Sequence, residues 1–303
     1  MESIKNPLKP NHSAVVIGGV NMDIGGKSAA GLILRDSNPG VITAKPGGVG
    51  RNIAHNLKLL GLDVSLIAAV GGDIYGSAIM DSCRSLNIDM SMSPVLPDRR
   101  SSAYLYVADE TGEMHVGIAD MDITKCITPE YLEKYIDRIN GFDAVVVDAN
   151  LDVPAIEYLA EHCTAPMYSD PVSTAKAPRL KKLLPRLVAL KPNAMEAETL
   201  TGEKDMEKAA GALLNAGVKR VFISLSEQGI LAAEGNKIIR MPCETREIVN
   251  TTGAGDAVAA AVTWAGINNM SLEDTLRTAI RAGAITCRSE YANCSELSEL
   301  TKI

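Results

Sequence analysis

The chain has 303 residues, 46% of them hydrophobic and 22% charged, enough to bury a large core in one α/β domain or two smaller ones. Its formal net charge of -7 argues against broad binding to nucleic acid or to an anionic membrane, both of which need basic excess. A phosphorylated ligand stays open, because backbone amides and helix N-termini hold phosphate without net positive charge.

In chain order, Ala14–Gly19 is a β-branched run closing in glycine, which reads as a buried strand. Asn21–Gly48 is rich in Gly, Asn, Asp and Pro and reads as a loop-and-strand excursion, with one apolar alternation at Val41–Ala44. Ile53, Leu57 and Leu60 recur at helical spacing, so Val49–Leu60 is expected to be a helix, followed by a strand at Val64–Val70 and a helix around Ala78–Leu86. Ser102–Ala108 and Glu113–Ile118 alternate on either side of Asp109–Gly112, a hairpin signal. Beyond it the pattern turns to βαβ. Strands are expected at Ala144–Val147, Pro166–Ser169, Leu187–Leu190 and Val221–Leu225, and helices at Pro154–Cys163, Lys208–Asn215, Ala254–Ala265 and Leu272–Thr286.

Such alternation implies an α/β fold, a three-layer α/β/α sandwich around a mostly parallel sheet. The two β-rich excursions, about residues 23–45 and 99–121, are expected to form a small lid on a single domain spanning 1–303. Cys83, Cys126, Cys163, Cys243, Cys287 and Cys294 have neither CxxC spacing nor a zinc-like grouping with histidine, and read as reduced thiols. The N-terminal MESIKNPLKPNHS lacks an apolar stretch of signal-peptide length and nothing downstream approaches a membrane span, so a cytoplasmic location is expected.

The strongest chemical signal is Thr251-Thr252-Gly253-Ala254-Gly255-Asp256, which opens a long helix of small residues. Gly253, Ala254 and Gly255 bring backbone N–H groups together at a helix start, where unpaired donors and the macrodipole favour an anion. Asp256, one turn in, would stand beside that anion as a base, an arrangement suited to phosphoryl transfer. The plainer alternative is a glycine-rich turn followed by a helix-stabilising acid. A second glycine cluster, Pro46-Gly47-Gly48-Val49-Gly50-Arg51-Asn52, leads into the first amphipathic helix; Gly47 and Gly48 permit close ligand approach and Asn52 can bond sugar hydroxyls. Asp23 follows the first strand, where ligands gather in open α/β sheets, although an acid there is more often a turn former. Asn193 and Glu196 begin another helix and suit either a capping box or a place beside a Mg-bound phosphate. Gly26-Lys27-Ser28 lacks the first glycine of a P-loop, no GxGxxG follows a strand, and the four histidines have no nucleophile partner.

Taken together, PGGVGRN at 46–52, NxxE at 193–196 and NTTGAGD at 250–256 resemble the ribokinase (PfkB) family of carbohydrate kinases, over about Val15–Leu297. Within it the chain is most similar to pseudouridine kinases, on DSNPG at 36–40, GGVGRNIAHNL at 47–57, TGEMHVGIADMDI at 111–123, DPVS at 170–173, LKPNAMEAETLTG at 190–202 and SEYANCSEL at 289–297. The resemblance implies ATP- and Mg-dependent phosphorylation of the 5'-hydroxyl of pseudouridine. Asp256 would be the base and Gly253-Ala254-Gly255 the anion hole. Asp23, Gly47, Gly48 and Asn52 would hold the ribose, with Asn150 facing the sugar pocket. Asn193, Ser224, Ser226, Gly229 and Thr252 would run past the ATP phosphates and ribose, Asn293 would lie near the adenine, and Glu196 would reach the metal through water. The lid would also make a homodimer. Asp120, within the lid stretch Ile118–Asp122, is the candidate to read the extra ring N–H of pseudouridine. Three residues depart from the family pattern: Asn250 where an Asp helps hold an activating potassium ion, Ser226 where glycine is usual, and Val49 where Ala or Lys is common. The substrate alternatives are ribose, fructose and adenosine or inosine, with low aromatic content disfavouring a purine; the alternative of another class is a non-catalytic nucleoside-binding protein.

Overall fold

The computed structural model describes residues 12–244 and 248–302. The N-terminal stretch 1–11, in which no signal peptide is read, lies outside them. The first half of the chain runs β1 (Ser13–Ile17), β2 (Asn21–Ser28), β3 (Gly40–Gly47), α1 (Val49–Leu59), β4 (Asp63–Ile67), β5 (Val70–Gly71), α2 (Ile74–Ser85), β6 (Val95–Leu96), β7 (Ala103–Ala108) and β8 (Met114–Asp120). The second half runs α3 (Pro129–Glu133), α4 (Ile136–Ile139), β9 (Ala144–Asp148), α5 (Val153–His162), β10 (Met167–Asp170), β11 (Leu187–Leu190), α6 (Ala194–Thr201), α7 (Met206–Asn215), β12 (Arg220–Ser224), β13 (Ile230–Glu234), β14 (Lys237–Met241), α8 (Ala254–Ile267) and α9 (Leu272–Cys287).

Eight strands form the main sheet in the order β14-β13-β12-β11-β10-β9-β1-β4. The six from β12 to β4 are parallel, and β13 and β14 add an antiparallel edge. Strands β1 and β9 are apolar throughout Ala14–Ile17 and Ala144–Val147 because both faces are covered. Ala14, Val16 and Val146 pack toward the layer of α1, α2, α8 and α9, while Val15, Ile17, Val145 and Val147 pack toward α3 to α7. Helix α8 is buried nearly all round, which explains its run of Ala and Val and its lack of a polar face.

The two β-rich excursions pair with each other into a four-stranded sheet, order β3-β2-β7-β8. Its register fixes two faces. Asp23, Lys45, Tyr104 and Ala119 lie in register on one; Ile24, Ala44, Leu105 and Ile118 lie in register on the other.

Several elements differ from the sequence reading, among them α3 and α4, which it lacks. Asn21–Gly48 holds two eight-residue strands, not a loop with one short strand. The NMDIGGKS of β2 has no alternation to read, and only pairing with β3 and β7 makes it a strand. Helix α2 starts four residues before Ala78, capped by the Asp73 carboxylate that accepts from the Gly76 amide at 2.8 Å. The β13–β14 hairpin was not read at all, its turn being set by Gly235 at φ 57°. The strand expected at Val64–Val70 ends at Ile67, and Val70 belongs to the two-residue β5, which pairs with β6.

The chain reverses direction across the sheet at β1, which has β4 on one side and β9 on the other. Ligands of open α/β sheets bind at such a switch point, beyond the carboxyl ends of the strands. Gly18 and Gly19 follow β1 there, Asp148 ends β9, Asp170 ends β10, and Lys191 follows β11.

Candidate active site

Gly253 precedes α8 at φ 82°, and a Cβ on it would run into the Ala292 carbonyl. Only glycine fits that turn. It starts α8 above the carboxyl ends of β9, β10 and β11 and puts Asp256 in the first helical turn, 9% exposed. The first N–H groups of α8 have no partner inside the helix, so its N-terminus can attract an anion, with a carboxylate beside it.

A second glycine, Gly48 at φ 97°, starts α1, and a Cβ there would meet the Gly19 carbonyl. The Gly50 amide donates to the same Gly19 carbonyl at 3.1 Å, which ties the start of α1 to the end of β1. That contact brings Asn52 to α8, where its Nδ2 donates to Asp256 Oδ2 at 2.9 Å. The two glycine motifs, 204 residues apart, thus meet in one hydrogen bond.

The floor is a set of buried charges at the strand ends. Asp148 is fully buried and accepts from the Gly19 and Asn150 amides, each at 2.8 Å. Burial pushes its carboxyl up to about 6, and nearby Asp170 adds to the rise. Lys191 Nζ lies 2.8 Å from Asp170 Oδ2 and donates to the Gly255 carbonyl at 3.3 Å. Burial lowers the Lys191 ammonium, but Asp170, Glu196 and Asp256 outweigh it and hold the group above its ordinary value. Asp256 is pushed up to about 7, first by burial and then by Asp170, against the opposing pull of Asn52 and Lys191. A carboxylate tuned toward neutrality, touching a helix N-terminus, is poised to take a proton.

On the far side, Asn193 and Glu196 form the capping box: Asn193 Oδ1 accepts from the Glu196 amide and Glu196 Oε2 accepts from the Asn193 amide, both at 2.9 Å. The capping account is therefore realised, yet Glu196 is only 3% exposed and its carboxyl is raised by burial and by Asp170. Asn193 bridges in parallel to Ser224. Ser226 adopts φ 53°, the left-handed region where glycine is at ease, and Gly229 sits at φ 86° against the Met241 carbonyl. The loop therefore keeps the glycine-like bend that Ser226 put in question. Thr252 N–H is fixed by Asn250 Oδ1 at 2.9 Å.

The remaining sequence candidates divide. Asp23 lies against Gly47, where a Cβ would strike its carboxylate, and accepts from Asn21 Nδ2 at 2.6 Å. Asn150 follows Asp148 and its Oδ1 accepts from Lys176 Nζ at 2.6 Å. Asn293 Nδ2 donates to the Asn52 carbonyl at 3.1 Å and to Asn56 Oδ1 at 2.9 Å, so this amide is turned onto α1. Asp120 is not brought to Asp23. Register puts it on the opposite face of the four-stranded sheet, where Arg100 lies 3.5 Å from it. Asp148, Asp170, Lys176 and Lys191 are site residues that sequence reasoning missed. The signal of Asp148, Asp170 and Lys191 was a charged residue at or just past the end of a strand, in VVVD, YSD and VALK, whereas Lys176 carries no such signal.

The profile of the pfkB family carbohydrate kinases matches residues 11–298. A pseudouridine kinase of Escherichia coli (strain K12) is 35% identical over 299 residues, covering 96% of this chain and 95% of that protein. A carbohydrate kinase structure from Agrobacterium tumefaciens superposes with TM-score 0.84 at 30% identity, covering 96% of each chain. A ribokinase structure from Thermotoga maritima gives TM-score 0.85 at 22% identity over 96% of this chain and all of that one, and so shares the fold. The chain belongs to the pfkB family of carbohydrate kinases: it is a ribokinase-like phosphotransferase that acts on a hydroxyl group.

Proposed function

We propose that the chain moves the terminal phosphoryl group of ATP, with Mg2+, to the 5'-hydroxyl of pseudouridine. The observation that carries the reaction is the buried Asp256 carboxylate, raised to about 7, inside the first turn of α8. The 35% likeness to a pseudouridine kinase supports the acceptor. Asn52 holds Oδ2 of Asp256, which leaves Oδ1 to receive the proton of the attacking hydroxyl. The proton leaves late in a loose transition state, so positioning and charge stabilisation supply most of the rate. The N–H groups of Gly253 and Gly255 receive the charge developing on the moving phosphoryl group, while that of Ala254 donates to the Thr251 carbonyl at 3.3 Å. Asp23 and the Gly47-Gly48 backbone bind the ribose; Asn150, its Oδ1 already taken by Lys176, presents its amide N–H groups to the sugar.

Glu196 fits a water-mediated metal contact. It is buried at the start of α6, and one of its oxygens is held by the Asn193 amide while the other carries no such bond. Bound there, Mg2+ would neutralise phosphate charge. Asn193, Ser224, Ser226, Gly229 and Thr252 line the same edge and would hold the nucleotide, with Asn293 at its α1 side. The reaction is tested by its product. Pseudouridine and Mg-ATP should yield a monophosphate whose phosphorus couples to the 5' protons in NMR; a phosphate on another hydroxyl, or none, rejects the assignment.

For the base, the lid face of Asp23 offers Tyr104 and Tyr106, with ring centroids 5.9 Å apart, whereas Asp120 faces away. That opposite face carries Ile42, Leu105, Val116 and Ile118, exposed by 78, 41, 48 and 63%. A second copy of the lid would cover it, giving the homodimer. Ile118→Asp should then convert a dimer to monomer in sedimentation; an unchanged mass would place the interface elsewhere.

Asn250 replaces an ion by an amide. Its Oδ1 accepts from Thr252 and its Nδ2 donates to the Glu290 carbonyl at 3.1 Å, tying the two loops together. Exchanging K+ for Na+ should therefore change kcat less than about twofold, a difference below 0.5 kcal/mol, while Asn250→Asp should introduce dependence on K+. Strong activation of the unaltered chain by K+ would contradict this.

A further inference from the structure

Lys191 is a buried cation with a defined seat. It is 7% exposed, ion-paired with Asp170 at 2.8 Å, and bonded to the carbonyl of Gly255 at 3.3 Å, directly under the turn that holds the reacting groups. A Cβ on Gly255 would come within 2.9 Å of this ammonium, so glycine at 255 keeps room for the lysine as well as for the phosphoryl group. A buried charge needs partners, and one left alone at such a site alters every neighbour.

We propose that Lys191 is a positioning residue for the transfer: its ammonium, held between Asp170 and the Gly255 carbonyl, offsets the charge of Asp170 at Asp256 and anchors the first turn of α8. This rests on the reading of Asp256 as the base. The groups that face Asp256 come from every element around it: Asn52 on α1, Asp148 at the end of β9, Asp170 at the end of β10, and Lys191 after β11. Glu196, at the start of α6, acts on Lys191. Two of the groups that face Asp256 are carboxylates and one is a cation. With Asp170 neutralised, Asp256 can ionise near neutral pH and still hold a proton during turnover. With Asp170 uncompensated, Asp256 would stay protonated and the attacking hydroxyl would have no base.

The test is the pH dependence of kcat for Lys191→Met, Asp170→Asn and the double variant, with Mg-ATP and pseudouridine. The 13C carboxyl titration of Asp256, assigned with Asp256→Asn, runs in parallel. Lys191→Met should move the acid limb up by at least about one pH unit, a tenfold loss of the ionised form at a fixed pH below the limb. Asp170→Asn, which leaves the lysine in excess, should move it down. The double variant should return it to near its original place. If Lys191→Met fails to fold, the opposite shift in Asp170→Asn and the restoration in the double variant still decide. Equal losses at every pH, with no movement of the limb or of the carboxyl titration, would make Lys191 a structural residue and overturn the proposal. The titration needs no turnover: if the unaltered protein is inactive but its Asp256 titration shifts as stated, the kinase reading fails and the charge relation stands.

Discussion

Asp256→Asn is expected to lower kcat by about 10³-fold or more while nucleoside affinity changes little, because it removes the proton acceptor and keeps the shape of the site. An asparagine can still accept the 2.9 Å bond from Asn52 Nδ2, so the contact between α1 and α8 survives. The same change should stabilise the protein. Asp256 ionises at about 7 in the fold against 3.8 ordinarily, so the folded state holds its proton more tightly than the unfolded chain. Stability therefore falls as pH rises from 3.8 to about 7, and the full penalty is present above it. At about 1.4 kcal/mol per unit, that penalty is of order 4 kcal/mol. Asparagine escapes it. The variant should melt several degrees above the unaltered protein at pH 8, and the gap should close by pH 4. Catalysis lost and stability gained by one atom change is the mark of a group strained for function; a variant less stable at pH 8 would show that the buried carboxylate is structural.

Gly253→Ala should be the second most damaging change. The residue adopts φ 82°, which costs an L side chain about 1–2 kcal/mol, and its Cβ would strike the carbonyl of Ala292, which lies in backbone that cannot swing aside cheaply. The start of α8 must then move, carrying the donor N–H groups away from the phosphoryl group. Loss of one well-placed donor is worth about 10²–10³-fold in kcat. A fall of that size with KM for nucleoside within a few-fold, measured by steady-state kinetics, would support the anion hole. A fall confined to KM would place Gly253 in binding alone.

Elements whose signal lies inside their own segment could be read before the structure. Val15–Ile17 and Val145–Val147 are unbroken apolar runs because helices cover both sheet faces, and Ile53 and Leu57 mark α1 by their spacing. The glycine motifs were legible for a backbone reason: Gly48 and Gly253 have positive φ that other residues resist. What stayed hidden was tertiary. The β2 strand has no alternation and exists through its partners, and Asp148, Asp170 and Lys191 become one charged floor only when β9, β10 and β11 lie side by side. That Asp120 lies on the face opposite Asp23 stayed hidden for a similar reason. Its strand was expected, but the register that turns it away from Asp23 is set by pairing across three strands.

The measurement that bears most directly on this account is Mg-ATP-dependent ADP release with pseudouridine, uridine, adenosine, ribose and fructose as acceptors. Turnover with pseudouridine at least tenfold above the other acceptors, absent without Mg2+ and absent in Asp256→Asn, is the expected result. ADP release equal for all acceptors, or unaffected by Asp256→Asn, would contradict both the acceptor and the base.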